Sequence, residues 1–261
     1  MPEYAKPVVG NFCWVELATN NLVGAKRFYG ELFGWSLKEA PMPDGLPYTM
    51  AEVRGKSVCG LTELKGEAKK MGAGPHWLSY VAVDDPEPIV RKVAGLGGKT
   101  LVPTTDVGQG RLAIIQDTAG AVLALWQSKQ SMGPWLYAEP GALCWNELIT
   151  PELGAAEKFY TSLFGWKVES MDVGPGVTYR LFKNRGENAG GAMATPKELK
   201  GVPPNWSVYF DVANADQTVS RAERMGAKVL APVMETANVG RYAMLQDGQG
   251  AAFGILQPAR K

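Results

Sequence analysis

Two glutamates stand in apolar, strand-like segments, where a charged side chain is costly. Glu16 follows Trp14 by two positions, and Glu147 follows Trp145 by two positions. Because side chains alternate between the faces of a strand, each glutamate should share a face with its tryptophan. A carboxyl group in an apolar pocket has a raised pKa, which suits a general base that removes a proton next to a carbonyl group.

Two arginines are the predicted partners of these glutamates. An inward-facing carboxylate needs a cation or hydrogen-bond donors, because leaving it unpaired is expensive. Arg111 and Arg241 each follow a glycine on a neighbouring predicted strand, so we predict pairs between Glu16 and Arg111 and between Glu147 and Arg241. In an enzyme the arginines would stabilise an enolate. The alternative is that the pairs only hold the fold together.

These residues recur because the chain contains one long segment twice. Residues 11–35 read NFCWVELATNNLVGAKRFYGELFGW, and residues 142–166 read ALCWNELITPELGAAEKFYTSLFGW. The match continues with WLSYVAV and WSVYFDV, and with GRLAIIQDTAGA and GRYAMLQDGQGA. A repeat of this length indicates two copies of one domain rather than a solenoid. We predict domains at residues 1–130 and 131–261.

Each copy is predicted to contain two βαβββ modules. In the first module residues 11–18 alternate as a strand, and residues 21–33 carry apolar side chains at helical spacing. Asn20 or Asn21 can cap this helix and Gly34 can end it, before strands at 35–38, 48–54 and 56–64. The second module has a strand at 76–84, a helix at 87–96 and strands at 99–105, 111–117 and 121–127. A linker follows at 128–140.

Four such modules predict an α+β protein with two curved sheets. A four-stranded sheet with one helix buries a single face, so the other face needs a partner. Two modules side by side form a curved sheet whose concave face can enclose a small ligand.

The composition excludes several kinds of partner. Lys and Arg total 27 against 26 Asp and Glu, which gives no field to attract nucleic acid or an anionic membrane. We see neither an apolar run of membrane-spanning length nor a signal-peptide pattern. Three cysteines do not suit a disulfide framework. We predict a cytoplasmic protein without nucleic-acid or membrane partners, as a monomer with pseudo-dimeric halves or a homodimer.

Three segments in each copy carry a family resemblance: the strand followed by KRFYGELFGW or EKFYTSLFGW, then YVAVDD or YFDVAN, then QDTAGAVLALWQ or QDGQGAAFGILQ. Over nearly all of its length the chain resembles the vicinal oxygen chelate superfamily, which includes glyoxalase I, bleomycin-resistance proteins and extradiol dioxygenases. The resemblance implies two glyoxalase-like curved-sheet domains.

Active members of that superfamily hold a divalent metal, and the resemblance implies where its ligands would stand. Those positions carry Trp14, Leu78 and Ala124 in the first copy and Trp145, Ser207 and Gly254 in the second, with Cys59 and Gly190 at a further position. Divalent ions need several His, Asp or Glu ligands, so we predict no metal and no other cofactor. A glyoxalase I-like metal lyase, with ligands Cys59, Glu16 and His76, is a third alternative.

Alternation also predicts the side chains that line the concave faces. The predicted ligand-binding residues are Trp14, Tyr48, Leu78, Tyr80, Ala124 and Trp126 in the first copy and Trp145, Tyr179, Ser207 and Tyr209 in the second. Aromatic walls favour a metal-free protein that binds a small aromatic or carbonyl-bearing molecule. The alternative is a metal-independent lyase, isomerase or cyclase with Glu16 or Glu147 as base. The first copy has the more apolar wall and should bind an aromatic ligand more tightly.

Overall fold

The computed structural model describes residues 3–4, 7–41, 47–70, 72–129, 135–173, 178–196 and 201–259. The four predicted βαβββ modules are present within them, which confirms the α+β class. Module 1 contains β2 Phe12–Thr19, α1 Leu22–Phe33, β3 Ser36–Pro41, β4 Pro47–Val53 and β5 Lys56–Glu63, after a short β1 at Glu3–Tyr4. A one-turn helix, α2 Gly66–Lys70, precedes module 2, which contains β6 His76–Ala82, α3 Pro86–Val93, β7 Lys99–Asp106, β8 Gly110–Gln116 and β9 Val122–Ser128.

The second half repeats this order after a short strand, β10 Trp135–Leu136. Module 3 contains β11 Leu143–Thr150, α4 Leu153–Phe164, β12 Lys167–Asp172, β13 Thr178–Asn184 and β14 Glu187–Ala194. Module 4 contains β15 Asn205–Asp211, α5 Ala215–Arg224, β16 Lys228–Thr236, β17 Gly240–Gln246 and β18 Ala252–Pro258. Within the described parts of the chain, no helix is both long enough and apolar enough to span a membrane.

Each half forms one sheet in which its two modules meet along their first strands. In the first sheet β2 pairs with β6, so that Trp14 lies opposite Tyr80, and β6 pairs with β9, so that Tyr80 lies opposite Ala124. In the second sheet β11 pairs with β15 and β15 with β18, which places Trp145 opposite Tyr209. The strands predicted to line a site are therefore neighbours in both halves.

The first helix of the chain begins and ends as its sequence predicts. The Asn21 side chain accepts a hydrogen bond from the Gly24 backbone N–H at 2.9 Å, and Gly34 ends α1 in the left-handed region at φ 71°. A side chain on a residue with this φ would be strained, which explains the glycine. Gly165 ends α4 in the same way.

Two predicted boundaries need correction. The helix predicted at residues 87–96 is shorter than expected. The observed helix, α3, ends at Val93, and Ala94–Leu96 continues as a 3-10 turn before Gly97. The predicted linker at 128–140 contains β10, which pairs with β5 and with β1. The predicted domain boundary between residues 130 and 131 lies outside the described residues.

The helix-covered faces of the two sheets pack against each other across the halves. Phe28 and Tyr29 of α1 share a core cluster with Phe210 and Phe253 of module 4. In the same way Phe159 and Tyr160 of α4 pack with Val81, Leu123 and Leu125 of module 2. The first helix of each half therefore completes the hydrophobic core of the other half.

One aspartate in each half stabilises this packing by accepting hydrogen bonds. The Asp247 carboxylate accepts three backbone N–H bonds within its own turn, from residues 249–251, and accepts the Tyr29 hydroxyl at 3.0 Å. Asp117 does the same for residues 119–121 and for the Tyr160 hydroxyl at 3.0 Å. The repeated Asp-x2-Gly segment thus shapes a turn and joins the halves.

Candidate functional site

The predicted residues of the first concave face form a hydrogen-bonded group around Glu16. The Trp14 indole Nε1–H donates to the Tyr48 hydroxyl at 3.0 Å. The hydroxyls of Tyr48 and Tyr80 both donate to the Glu16 carboxylate. Trp14 and Tyr80 are buried, whereas Glu16 and Tyr48 are partly exposed. We call these four residues the first tetrad.

The second concave face repeats the same arrangement around Glu147. The Trp145 Nε1–H donates to the Tyr179 hydroxyl at 2.9 Å, and the Tyr209 hydroxyl donates to Glu147 Oε2 at 2.8 Å. The Tyr179 hydroxyl also donates to Glu147. Glu147 is only 8% exposed, so the glutamate of this second tetrad is more deeply buried than the partly exposed Glu16.

A glycine makes room for one tyrosine in each tetrad. A Cβ atom on Gly60 would lie 2.0 Å from the Tyr48 hydroxyl oxygen, and one on Gly191 would lie 1.9 Å from the Tyr179 hydroxyl oxygen. Both glycines recur in the duplicated sequence, but the pattern alone did not connect them with the tyrosines. Their absent side chains allow the hydroxyls to reach the glutamates.

Burial controls the protonation of both tetrads. It raises the pKa of Glu16 and of Glu147, and the tyrosine hydroxyl donors offset only part of that rise. Burial, together with the nearby carboxylate, also raises the pKa of Tyr48 and Tyr80. The tyrosines therefore stay protonated as donors, and each carboxyl group is easier to protonate than an exposed glutamate.

The predicted pairing of the arginines with the glutamates is wrong. Arg111 bonds Asp85 at 3.1 Å and lies 3.7 Å from Glu87, at the start of α3. Arg241 bonds Asp216 on α5. Leu112, the next residue after Arg111, lies opposite Trp126 of the concave wall. Strand alternation therefore puts Arg111 on the opposite, helix-covered face.

The residues at the family's metal positions do not fit a divalent ion. Trp14, Leu78 and Ala124 supply no carboxylate or imidazole ligand. Within the described ranges, no three or more His, Cys, Asp and Glu side chains are grouped closely enough to hold a metal. His76 is bonded through Nδ1 to the Gly74 carbonyl oxygen at 2.8 Å and takes no part in either tetrad. These donor sets therefore do not match the ligands that a divalent ion requires.

The walls beside the two tetrads differ in polarity. The first wall is apolar and includes Leu78, Ala82, Ile114 and Trp126. In the second wall Ser207 stands where Leu78 stands in the first, and it donates to Asn205 at 2.7 Å. Its other differing positions carry Tyr242, Met244 and Leu256. The predicted contrast between an apolar first face and a more polar second face is present in the structure.

A separate open groove of about 600 Å³ lies between the halves. It is bounded by Leu32 and Phe33 at the end of α1, by the connector before β11, and by Arg221 and Arg224 of α5. The groove contains none of the predicted site residues. The tetrads, which repeat in both halves, are the better candidate for the function of the chain.

Comparison with known proteins places this geometry in context. A family model described as "Glyoxalase/Bleomycin resistance protein/Dioxygenase superfamily" matches residues 12–125 and 143–255. The chain is 39% identical over 261 residues to "Putative glyoxylase CFP32" of Mycobacterium bovis, covering 99% of both chains. It is 31% identical to "Anthracycline biosynthesis protein DnrV" of Streptomyces peucetius, covering 94% of this chain and 92% of that protein.

Solved structures share the fold at much lower identity. A Mn(II)-bound glyoxalase from Novosphingobium aromaticivorans has a TM-score of 0.65 at 15% identity, covering 95% of this chain and 82% of that one. A 2,2',3-trihydroxybiphenyl 1,2-dioxygenase from Sphingomonas wittichii has a TM-score of 0.66 at 13% identity, covering 96% and 91%. These likenesses show the fold and leave the chemistry to the residues of the site.

Proposed function

The chain belongs to the glyoxalase/bleomycin resistance protein/dioxygenase superfamily, and from this premise we propose that it binds a small aromatic or carbonyl-bearing molecule on its concave faces without a protein-held metal. The observation that carries the proposal is the pair of tetrads. Each sets one protonatable carboxyl group among aromatic side chains on a concave face.

The first face suits a flat organic ligand better than the second does. Trp14, Tyr80 and Trp126 provide aromatic surface, and the partly exposed Glu16 can accept a hydrogen bond from a ligand hydroxyl. Contact with such a wall contributes on the order of 25 cal/mol per Å² of apolar ligand surface buried. Relatives named for anthracycline biosynthesis support the choice of flat polycyclic compounds as probes.

A second candidate function is proton transfer, as in a metal-independent lyase, isomerase or cyclase. Its support is the raised pKa of Glu16 and Glu147 beside two hydroxyl donors each. Glu16 would take a proton from a carbon next to a carbonyl group, and the electron pair would move onto the carbonyl oxygen. Tyr48 and Tyr80, no longer bonded to a carboxylate, could then donate to that oxygen. The tyrosines therefore replace the arginines as the proposed donors that stabilise the enolate.

Calorimetry on chelator-treated protein tests the main proposal. We expect 2-hydroxyanthraquinone to bind with one dominant site per chain, and Leu78→Ser, which gives the first face the residue of the second, to weaken binding several-fold. Arg111→Ala is the matched control, because it lies on the other side of the same sheet. Binding that requires a stoichiometric transition metal would overturn metal independence and favour the glyoxalase I-like alternative.

Proton transfer has its own test. Deuterium exchange at the carbon next to a ligand carbonyl, followed by NMR, should be fast with the wild type and slow with Glu16→Gln or Glu147→Gln. Unchanged exchange in both variants would exclude the base role.

The domain division at residue 130 and a cytoplasmic location stay predictions.

A further inference from the structure

Trp126 differs from most tryptophans of the chain in how its indole N–H is used. Six of the eight tryptophans donate this group to a hydroxyl or to a backbone carbonyl oxygen, namely Trp14, Trp35, Trp77, Trp145, Trp166 and Trp206. The Trp126 Nε1 atom is buried and has no hydrogen-bond partner among the residues that the structure describes. A buried donor without an acceptor is unfavourable and calls for an explanation.

The position of Trp126 links this donor to the first concave face. Its side chain packs with the cluster formed by Trp14, Tyr80 and Ala124. The ring is fixed by Gly110, where a Cβ atom would lie 2.6 Å from the ring atoms Cζ2 and Cη2. The Trp126 ring therefore packs both against the aromatic cluster of the first face and against the start of β8.

The second half lacks this donor. Leu112 lies opposite Trp126 in the first sheet, and Tyr242 lies opposite Leu256 in the second. Leu256 therefore occupies the position of Trp126 and has no polar atom in its side chain. The tetrads are the same in the two halves, so the indole N–H is a feature that only the first face adds.

We propose that Trp126 selects a ligand with a carbonyl-type oxygen, which accepts the indole N–H at one end of the first concave face while Glu16 binds a hydroxyl at the other end. This inference rests on the proposed function. Trp126 lies opposite Ala82 and Glu16 lies opposite Leu78. Four residues along a strand span about 13 Å. The ligand class is therefore a flat, fused-ring molecule whose hydroxyl and carbonyl-type acceptor lie on different rings.

Two probes of the same shape test the selection. 2-Hydroxyanthraquinone carries ring carbonyl oxygens, whereas 2-hydroxyanthracene has the same three fused rings and hydroxyl without them. In calorimetric titrations we expect the wild type to prefer the quinone. Trp126→Phe, which keeps an aromatic ring and removes the N–H, should weaken quinone binding about fivefold and leave the binding of hydroxyanthracene unchanged. Arg111→Ala, on the opposite face of the same sheet, is the control and should change neither affinity.

The outcomes separate this inference from the function on which it rests. If both probes bind the wild type and Trp126→Phe weakens neither, the role of Trp126 is refuted while the concave binding face stands. If neither probe binds, the ligand class and the proposed function fall together.

Thermal unfolding of the ligand-free protein gives a second measurement. Trp126→Phe removes a donor without an acceptor and should lower the Tm less than Trp77→Phe does, or not at all. Trp77→Phe removes a donor that is bonded to Tyr29 and should lower the Tm. A lower Tm for Trp126→Phe than for Trp77→Phe would show that the Trp126 N–H is already engaged in the free protein, and would overturn the inference.

Discussion

The interface between the halves and the two concave faces have changed to different extents since the duplication. At the interface, Tyr29 with Asp247 and Tyr160 with Asp117 make the same hydrogen bond at the same distance of 3.0 Å. On the concave faces the tetrads are equally well matched, but the walls beside them are not. The comparison separates what holds the fold together from what a ligand would meet.

The largest effect should come from the interface. Asp117→Ala leaves three backbone N–H groups and the Tyr160 hydroxyl without their acceptor, and Asp247→Ala does the same in the other half. Because buried donors are costly without partners, we expect each substitution to reduce the free energy of unfolding by about 3 kcal/mol or more. Urea unfolding measures this loss. Losses that differ greatly between the two variants would show that the matched hydrogen bonds contribute unequally to the free energy of unfolding.

A smaller loss should follow when the tetrads are crowded. Gly60→Ala and Gly191→Ala place a methyl group where the Tyr48 and Tyr179 hydroxyls lie, so the tyrosine must move away from its tryptophan and glutamate. We expect each to cost about 1–3 kcal/mol and to change the tryptophan fluorescence. Gly154→Ala is the control, because its new methyl group meets no atom within 4 Å. A neutral Gly60→Ala would mean that Tyr48 is not held in place.

The glutamates should give a pH-dependent difference between the halves. Burial raises the pKa of both groups in the folded protein. Stability from proton binding is therefore fully present below the pKa of the unfolded chain and is lost as the pH rises through the folded pKa. Relative to wild type, Glu147→Gln should gain stability as the pH rises from 4 to 8, and the more exposed Glu16→Gln should gain less. Tm measured across that range tests this order, and equal gains would contradict it.

The smallest effect should come from the arginines. Their ion pairs with Asp85 and Asp216 are partly exposed, and such pairs contribute at most about 1 kcal/mol. Arg111→Ala and Arg241→Ala should each lower the free energy of unfolding by less than that and leave ligand binding unchanged. A loss of ligand binding in either variant would show that the arginine contributes to the binding site.

The features predicted correctly from the sequence depend on signals between near neighbours. Helical spacing and the Asn21 and Gly34 ends located α1, and strand alternation placed Trp14 and Glu16 on one face. The duplication then doubled the support for each assignment. Such local patterns are reliable because the hydrogen bonds that set them join residues a few positions apart.

The features that were missed depend on contacts between distant residues. The partner of Glu16 could not be read from the sequence, because both arginines and tyrosines were available and one position of strand register moves a side chain to the opposite face. Arg111 was misplaced for this reason. The bond between Tyr29 and Asp247 likewise joins positions 218 residues apart. No periodicity reports such a contact.

The packing of each first helix against both halves also dictates when the protein can finish folding during synthesis. Tyr29 leaves the ribosome long before Asp247 has been made, and chains grow at about 5–20 residues per second. The part of α1 that packs on module 4 must therefore wait about 10–40 s for its partners. During that interval the nascent chain exposes apolar side chains of α1 to the solvent. Faster translation or a bound chaperone should accordingly raise the yield of soluble protein more than any single substitution on the surface.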